Sequence, residues 1–220
     1  MILALADAAD QCKSGYVRHG FQNTFNRLTD GGSAMIIFVG GIIGAGKSTI
    51  ARHLADHCGF PYYDVDDVKK AVFRKDPDFE KNVVEGIPFS DELRREVFRR
   101  VFEDLETLVG EHPHIVVDET LHKREIRHFL YDEARRIAGG FIVIWVQARE
   151  EVILKRLGEG RRDGHLLDDP LPLHNAFKRD FEEYNRCIID CPNNGSVEET
   201  VGDLVSLIDS IAELADAAAR

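Results

Sequence analysis

Residues Gly41-Ile42-Ile43-Gly44-Ala45-Gly46-Lys47-Ser48-Thr49 satisfy G-x-x-x-x-G-K-[ST] and lie between an apolar run, Met35 to Val39, and a segment of helical spacing, Lys47 to Cys58. No other feature restricts the fold so tightly. Glycines let the main chain wrap closely around phosphate oxygens, so that successive N–H groups and the start of the following helix face negative charge. Gly41, Gly44, Ala45 and Gly46 are therefore candidate phosphate-binding residues, with Lys47 as their cation. A turn that merely joins strand to helix needs neither three spaced glycines nor a lysine followed by two hydroxyls, Ser48 and Thr49.

Beyond Met35, short β-rich runs alternate with helical patterns, which predicts an α/β fold with a parallel sheet covered by helices on both faces. The expected strands are Met35 to Val39, Phe60 to Asp64, His114 to Asp118, Phe141 to Val146 and Arg186 to Asp190, and their nearly continuous apolar character suits burial on both sides. Ser90 is placed to cap a long amphipathic helix that carries Leu93, Val97, Val101, Leu105 and Leu108 as far as Gly110. Further helices are expected over Lys47 to Cys58, Asp66 to Arg74, Lys123 to Ala138, Glu150 to Leu157, Leu173 to Tyr184 and Val197 to Ala218. At 220 residues the chain suits one compact domain, 35–220, preceded by an appendage, 1–34, with no sustained period. Met35 stands directly before the first strand, so it is a candidate for the natural start.

The charge balance narrows the partners. With 28 Lys and Arg against 39 Asp and Glu, the net charge is −11, which opposes condensation onto a nucleic acid while leaving room for a local basic site. Cys12, Cys58, Cys187 and Cys191 form neither a disulfide framework nor a zinc pattern. No apolar run approaches the ~18 residues of a membrane span, and the opening MILALADAAD lacks a basic leader region. The expectation is a cytoplasmic protein, monomer or homodimer, acting on a small molecule and associated with no membrane.

In a parallel α/β sheet, ligands bind beyond the carboxyl ends of the strands, which directs attention to polar residues there. Asp64-Val65-Asp66-Asp67 follows the second expected strand and Asp118-Glu119-Thr120 the third. Asp118 is a candidate Mg²⁺ or nucleophile-orienting carboxylate, or a turn aspartate. Asp66 can accept the proton of an acceptor hydroxyl or orient that hydroxyl, while Asp64 or Asp67 caps the next helix; three aspartates also make an ordinary helix start. Arg149, Lys155, Arg156, Arg161 and Arg162 gather about the break Gly158-Glu159-Gly160 and suggest a lid over about 158–172, with Arg156 and Arg162 ahead of Arg161. Interspersed Glu150, Glu151 and Glu159 leave a solvated charged face as the alternative. Lys123, Arg124 and Arg127 can hold an anionic acceptor or simply face solvent, and His165 in the lid is a further substrate candidate.

Taken together, GGIIGAGKSTIARHLA, Asp64-Val65-Asp66, VVDETLHKREIR and the arginine-rich segment resemble, in order, the P-loop small-molecule kinases with a nucleoside-monophosphate-kinase-like fold, a group that includes gluconate, shikimate and adenylylsulfate kinases. The resemblance runs from about Met35 to Ile211. The stretch Lys81 to Arg94, KNVVEGIPFSDELR, is similar to the corresponding part of gluconate kinases. Asp118-Glu119-Thr120-Leu121 stands where those enzymes carry a Ser-Ala-Leu-Lys type segment, closer to a wider group of P-loop kinases with D-x-T, and the lid is longer.

The resemblance implies a P-loop NTPase sheet of five parallel strands in the order 2-3-1-4-5, with ATP and Mg²⁺ as cofactors. Lys47 would reach the β- and γ-phosphates, Ser48 and Asp118 would serve Mg²⁺, Thr49 would serve the α-phosphate, and adenine would lie near Cys191-Pro192-Asn193. Asp64 and Asp66 would stand on the acceptor side, with lid arginines stabilising the transferred group. A gluconate-like sugar acid is the favoured acceptor; a nucleoside, a polynucleotide end, an aminoacyl-tRNA or a non-catalytic ATP-binding role are the alternatives.

Overall fold

In a computed structural model of the chain, the structure describes residues 34–85, 89–112, 114–158, 171–182 and 189–218. The appendage other than Ala34, and Arg161, Arg162 and His165 of the expected lid, lie outside these residues. The elements in order are β1 (Met35–Gly40), α1 (Lys47–Cys58), β2 (Tyr62–Asp64), α2 (Val65–Phe73), α3 (Phe79–Glu85), α4 (Asp91–Glu111), β3 (His114–Asp118), α5 (Arg124–Ala138), β4 (Phe141–Gln147), α6 (Glu150–Gly158), α7 (Leu171–Asp180), β5 (Ile189–Pro192) and α8 (Val197–Ala218).

All strand pairs are parallel and the sheet runs β2-β3-β1-β4-β5. Alternation along β1 divides the core in two. Met35, Ile37 and Val39 meet Ile50 and Leu54 of α1 and Leu204, Val205 and Ile208 of α8. Ile36 and Phe38 point the other way, into a layer built by Val97, Val101 and Leu105 of α4 and Leu130, Tyr131 and Ala134 of α5. Both faces of the central strand are thus dry, as its unbroken apolar run requires.

Several boundaries moved for physical reasons. Phe60 does not join β2: its N–H bonds the Ala55 carbonyl at 2.9 Å, closing the end of α1, and its side chain enters the core. The fifth strand occupies Ile189–Pro192, two residues later at its end than the sequence suggests. There Ile144 faces Ile189 and Gln147 faces Pro192, and an edge strand tolerates a proline that donates nothing. Helix α7 covers Leu171–Asp180, starting and ending earlier than expected. Helix α3 was not foreseen; Asp76 opens it, its carboxylate accepting from the Asp78 N–H at 2.9 Å, and Phe79 stacks near Phe89, which itself stacks on Phe73.

Candidate active site

Register brings the expected residues together. Val39 and Asp64 both stand opposite Asp118, so the ends of β1, β2 and β3 are level and open onto the same edge as the glycine-rich loop. Two of the loop's glycines adopt left-handed backbone, Gly44 at φ 86° and Gly46 at φ 92°. A Cβ on Gly44 would lie 2.8 Å from Ile153 Cγ2 of α6, so any larger residue there would be both strained and crowded. The N–H of Ala45 bonds the Ile42 carbonyl at 3.1 Å within the turn.

Lys47 opens α1 with its ammonium 3.2 Å from Asp118 Oδ1 and 3.4 Å from Ser48 Oγ. Burial opposes the charge on Lys47, but Asp118 and Asp66 outweigh it and raise its pKa above the ordinary lysine value. Asp118 is 2% exposed; its Oδ2 can accept from the Tyr62 hydroxyl at 3.0 Å, whose alternative acceptor is Asp64 Oδ2 at 3.2 Å. Burial, then the two carboxylates, raise the Tyr62 pKa, so the phenol remains a donor. Asp64 caps α2, accepting from the Asp66 N–H at 2.9 Å, which is the capping role expected of Asp64 or Asp67.

Asp66 itself faces a cation that sequence reasoning missed. Lys69, one helical turn on, lies 2.9 Å from Asp66 Oδ1 and 2.7 Å from Glu119 Oε2. Glu119 is 4% exposed, and the two carboxylates raise the Lys69 pKa although burial opposes the charge. Lys69 in turn holds the Asp66 carboxyl well below the usual range, assisted by Lys47. The Asp66–Lys69 spacing was legible as an i,i+3 pair; the reach to Glu119 depends on β2 and β3 being neighbours.

Just beyond, Leu121 has φ 58° and is the one non-glycine residue with positive φ among the described residues. Its buried side chain occupies the space above Gly40, where a Cβ would come within 2.8 Å of Leu121 Cδ1, so packing supports the strained backbone. Arg127 belongs to this construction. It is 2% exposed and donates to the Leu121 carbonyl at 2.8 Å and to the Glu182 carbonyl at 2.7 Å. It braces the loop after β3, which replaces the acceptor-binding role expected of it. Lys123 occupies the N-cap position of α5 without a side-chain cap, and the Glu182 carboxylate serves instead, accepting from the Arg124 N–H at 2.6 Å.

On the opposite side of the loop, Arg156 donates to the Ala45 carbonyl and to the Asn193 carbonyl, each at 3.1 Å. Asn193 Nδ2 donates to the same Ala45 carbonyl at 2.9 Å. Pro192, expected on the adenine side, ends β5 as an exposed residue, and its neighbour Asn193 contacts the phosphate loop. His174 of α7 reaches the Ile43 carbonyl at 2.8 Å. Asn193 and His174 carry no local motif; only the fold brings them here.

The AAA_18 model, described as an AAA domain, matches residues 37–165. No curated protein matches the sequence. Among solved structures, a gluconokinase from Sinorhizobium meliloti is 23% identical, with a TM-score of 0.58 over 85% of this chain and 95% of that one. A sugar kinase from a Janibacter species is 20% identical, with a TM-score of 0.59 over 81% of this chain and 95% of that one. The strand order and phosphate loop agree with these likenesses and the family model spans more than half of the sequence, so the chain belongs to the AAA_18 family and has the fold of P-loop small-molecule kinases.

Proposed function

We propose that the protein is a kinase that transfers the γ-phosphoryl group of ATP to a hydroxyl of a small anionic metabolite, with a gluconate-like sugar acid as the favoured acceptor. The observation that carries this reading is the Lys47 ammonium at the mouth of the glycine-rich loop, 3.2 Å from the strand-end carboxylate of Asp118, with the Asp66–Lys69–Glu119 group beside it. Support for the acceptor comes from the KNVVEGIPFSDELR stretch and from fold neighbours described as a gluconokinase and a sugar kinase.

In the transfer, the acceptor oxygen bonds to the γ-phosphorus as the bond from that phosphorus to the β–γ bridging oxygen breaks, and the hydroxyl proton is released. Little covalent chemistry falls to the protein, so position and electrostatics dominate. Lys47 neutralises the phosphate tail, and Arg156 adds positive charge at the back of the loop, with lid Arg162 expected to join it. A carboxylate held as strongly ionised as Asp66 is a weak base, which favours orienting the acceptor hydroxyl over removing its proton. Among the described residues no cluster of three His, Cys, Asp or Glu side chains forms a metal site, but Ser48 and Asp118 flank the Lys47 ammonium and are the oxygen donors that would hold a Mg²⁺. The metal would supply charge neutralisation of the phosphates when bound.

Coupled ADP-release assays against sugar acids, nucleosides and RNA ends test the reading, with Lys47→Ala as the blank. Stimulation by gluconate or a related polyhydroxy acid is expected, and Lys47→Ala should remove it by at least ~100-fold. Stimulated turnover that survives Lys47→Ala would refute the assignment of the transfer centre, and turnover with none of the sugar acids would refute the acceptor.

A further inference from the structure

The phosphate loop is held from outside by side chains that belong to none of its motif positions. The Ile43 carbonyl accepts from His174 Nδ1 at 2.8 Å, and the Ala45 carbonyl accepts from Asn193 Nδ2 at 2.9 Å and Arg156 Nη1 at 3.1 Å. No described peptide bond is cis. In a trans peptide the carbonyl and the following N–H point in opposite directions. Pinning the Ile43 carbonyl toward α7 therefore aims the Gly44 N–H away from α7. Pinning the Ala45 carbonyl toward Asn193 and Arg156 likewise aims the Gly46 N–H away from them. The glycines concerned are the two at φ 86° and 92°, whose peptide planes would otherwise rotate most freely.

We propose that His174 and Asn193, together with Arg156, are positioning residues that preset two peptide planes of the phosphate loop, so that the amides of Gly44 and Gly46 already face the anion before it arrives. The proposal rests on the phosphate-binding reading of the loop and adds residues to it. Both side chains are placed for this task and little else: His174 is 1% and Asn193 2% exposed. A carbonyl can only accept, so the His174 proton sits on Nδ1; its Nε2 is buried with no hydrogen-bond partner among the described residues. The same reasoning orients the Asn193 carboxamide with Nδ2 toward Ala45, leaving a buried Oδ1 likewise unpartnered there. Each side chain thus retains a costly unsatisfied acceptor while its donor is directed at a loop carbonyl. Fit at Gly46 is equally close, for a Cβ there would overlap Asn193 Nδ2.

The test compares wild-type protein with His174→Phe, His174→Asn and Asn193→Leu, using calorimetric binding of ATP and of inorganic tripolyphosphate, steady-state kinetics, and circular dichroism to establish folding. His174→Phe keeps a ring but removes the donor, whereas Asn restores a donor near the Nδ1 position. Each donor-less variant should bind both ligands about fivefold to tenfold more weakly, the effect of one buried hydrogen bond. The factor should be the same for tripolyphosphate as for ATP, it should appear in KM more than in kcat, and His174→Asn should recover most of it. Undiminished tripolyphosphate affinity in folded His174→Phe and Asn193→Leu would overturn the proposal, as would a loss confined to ATP. If one variant fails to fold, the other decides. Wild-type protein that takes up neither ligand would instead refute the phosphate-loop reading itself, and the proposal with it.

Discussion

Replacing Asp118 by Asn removes the charge opposite Lys47 while leaving an oxygen for the Tyr62 hydroxyl, and replacing Lys47 by Met removes the ammonium while keeping its aliphatic bulk. The two side chains are 1% and 13% exposed and lie 3.2 Å apart, so each single replacement strands a nearly buried charge. Breaking such a pair typically costs about 3–5 kcal/mol. Residual exposure of Lys47 and the nearby Asp66 place Asp118→Asn lower, at about 2–3 kcal/mol. The double variant buries no stranded charge and should cost about 1–2 kcal/mol, less than either single change. Urea unfolding measures this directly: with a slope of about 2 kcal/mol/M, Asp118→Asn should lower the midpoint by ~1 M and the double variant by about half that. Additive losses, giving a double variant less stable than both singles, would refute the claim that the two charges are held for each other inside the fold. On the proposed function, turnover should be lost in all three variants, because Lys47 and Asp118 are the groups assigned to the phosphates and their metal.

Two further outcomes follow, one from the charges around this centre and one from a buried histidine at the opposite edge of the sheet. Lys69→Met should let the Asp66 carboxyl return toward its ordinary range, so the acid limb of the kcat/KM profile should move to higher pH than in wild type; an unmoved limb would sink the assignment of Lys69 as the group that keeps Asp66 ionised. His114 is fully buried against Phe60 and burial lowers its pKa to about 4, below the 6.5 of an exposed imidazole. The unfolded chain then binds the extra proton between those values, so stability falls as pH drops from about 7 to 4, by about 3 kcal/mol for this group. His114→Phe should flatten that part of the unfolding profile, and an identical slope in both proteins would refute it.

Local pattern carried most of the fold. Helices α1 and α8 match the bounds expected from periodicity, and the glycine-rich loop sits where its motif demands, because spacing within one segment suffices for each. Lys47, Ser48 and Asp118 were recognisable for the same reason: a motif and the end of an apolar strand announce them. Arg127 was misread because a basic residue in the first turn of a helix looks alike whether it faces solvent or is drawn inward by two carbonyls. His174, the reach of Lys69 to Glu119 and the bond from Asn193 to the loop escaped because the partners lie on other elements, with Asn193 and Ala45 separated by 148 residues.

By itself the amino-acid order determined that a parallel sheet would place a phosphate-binding turn after its first strand, since apolar runs, helical spacing and glycines act over a few neighbouring residues. Only the tertiary structure decided which charges meet there: strand order and register set Asp64, Asp118 and Val39 level, and packing of α6, α7 and the loop after β5 supplied the side chains that orient the turn. Hydrogen bonds and ion pairs act over a few ångströms, and chain separation gives no measure of that distance until the fold has closed.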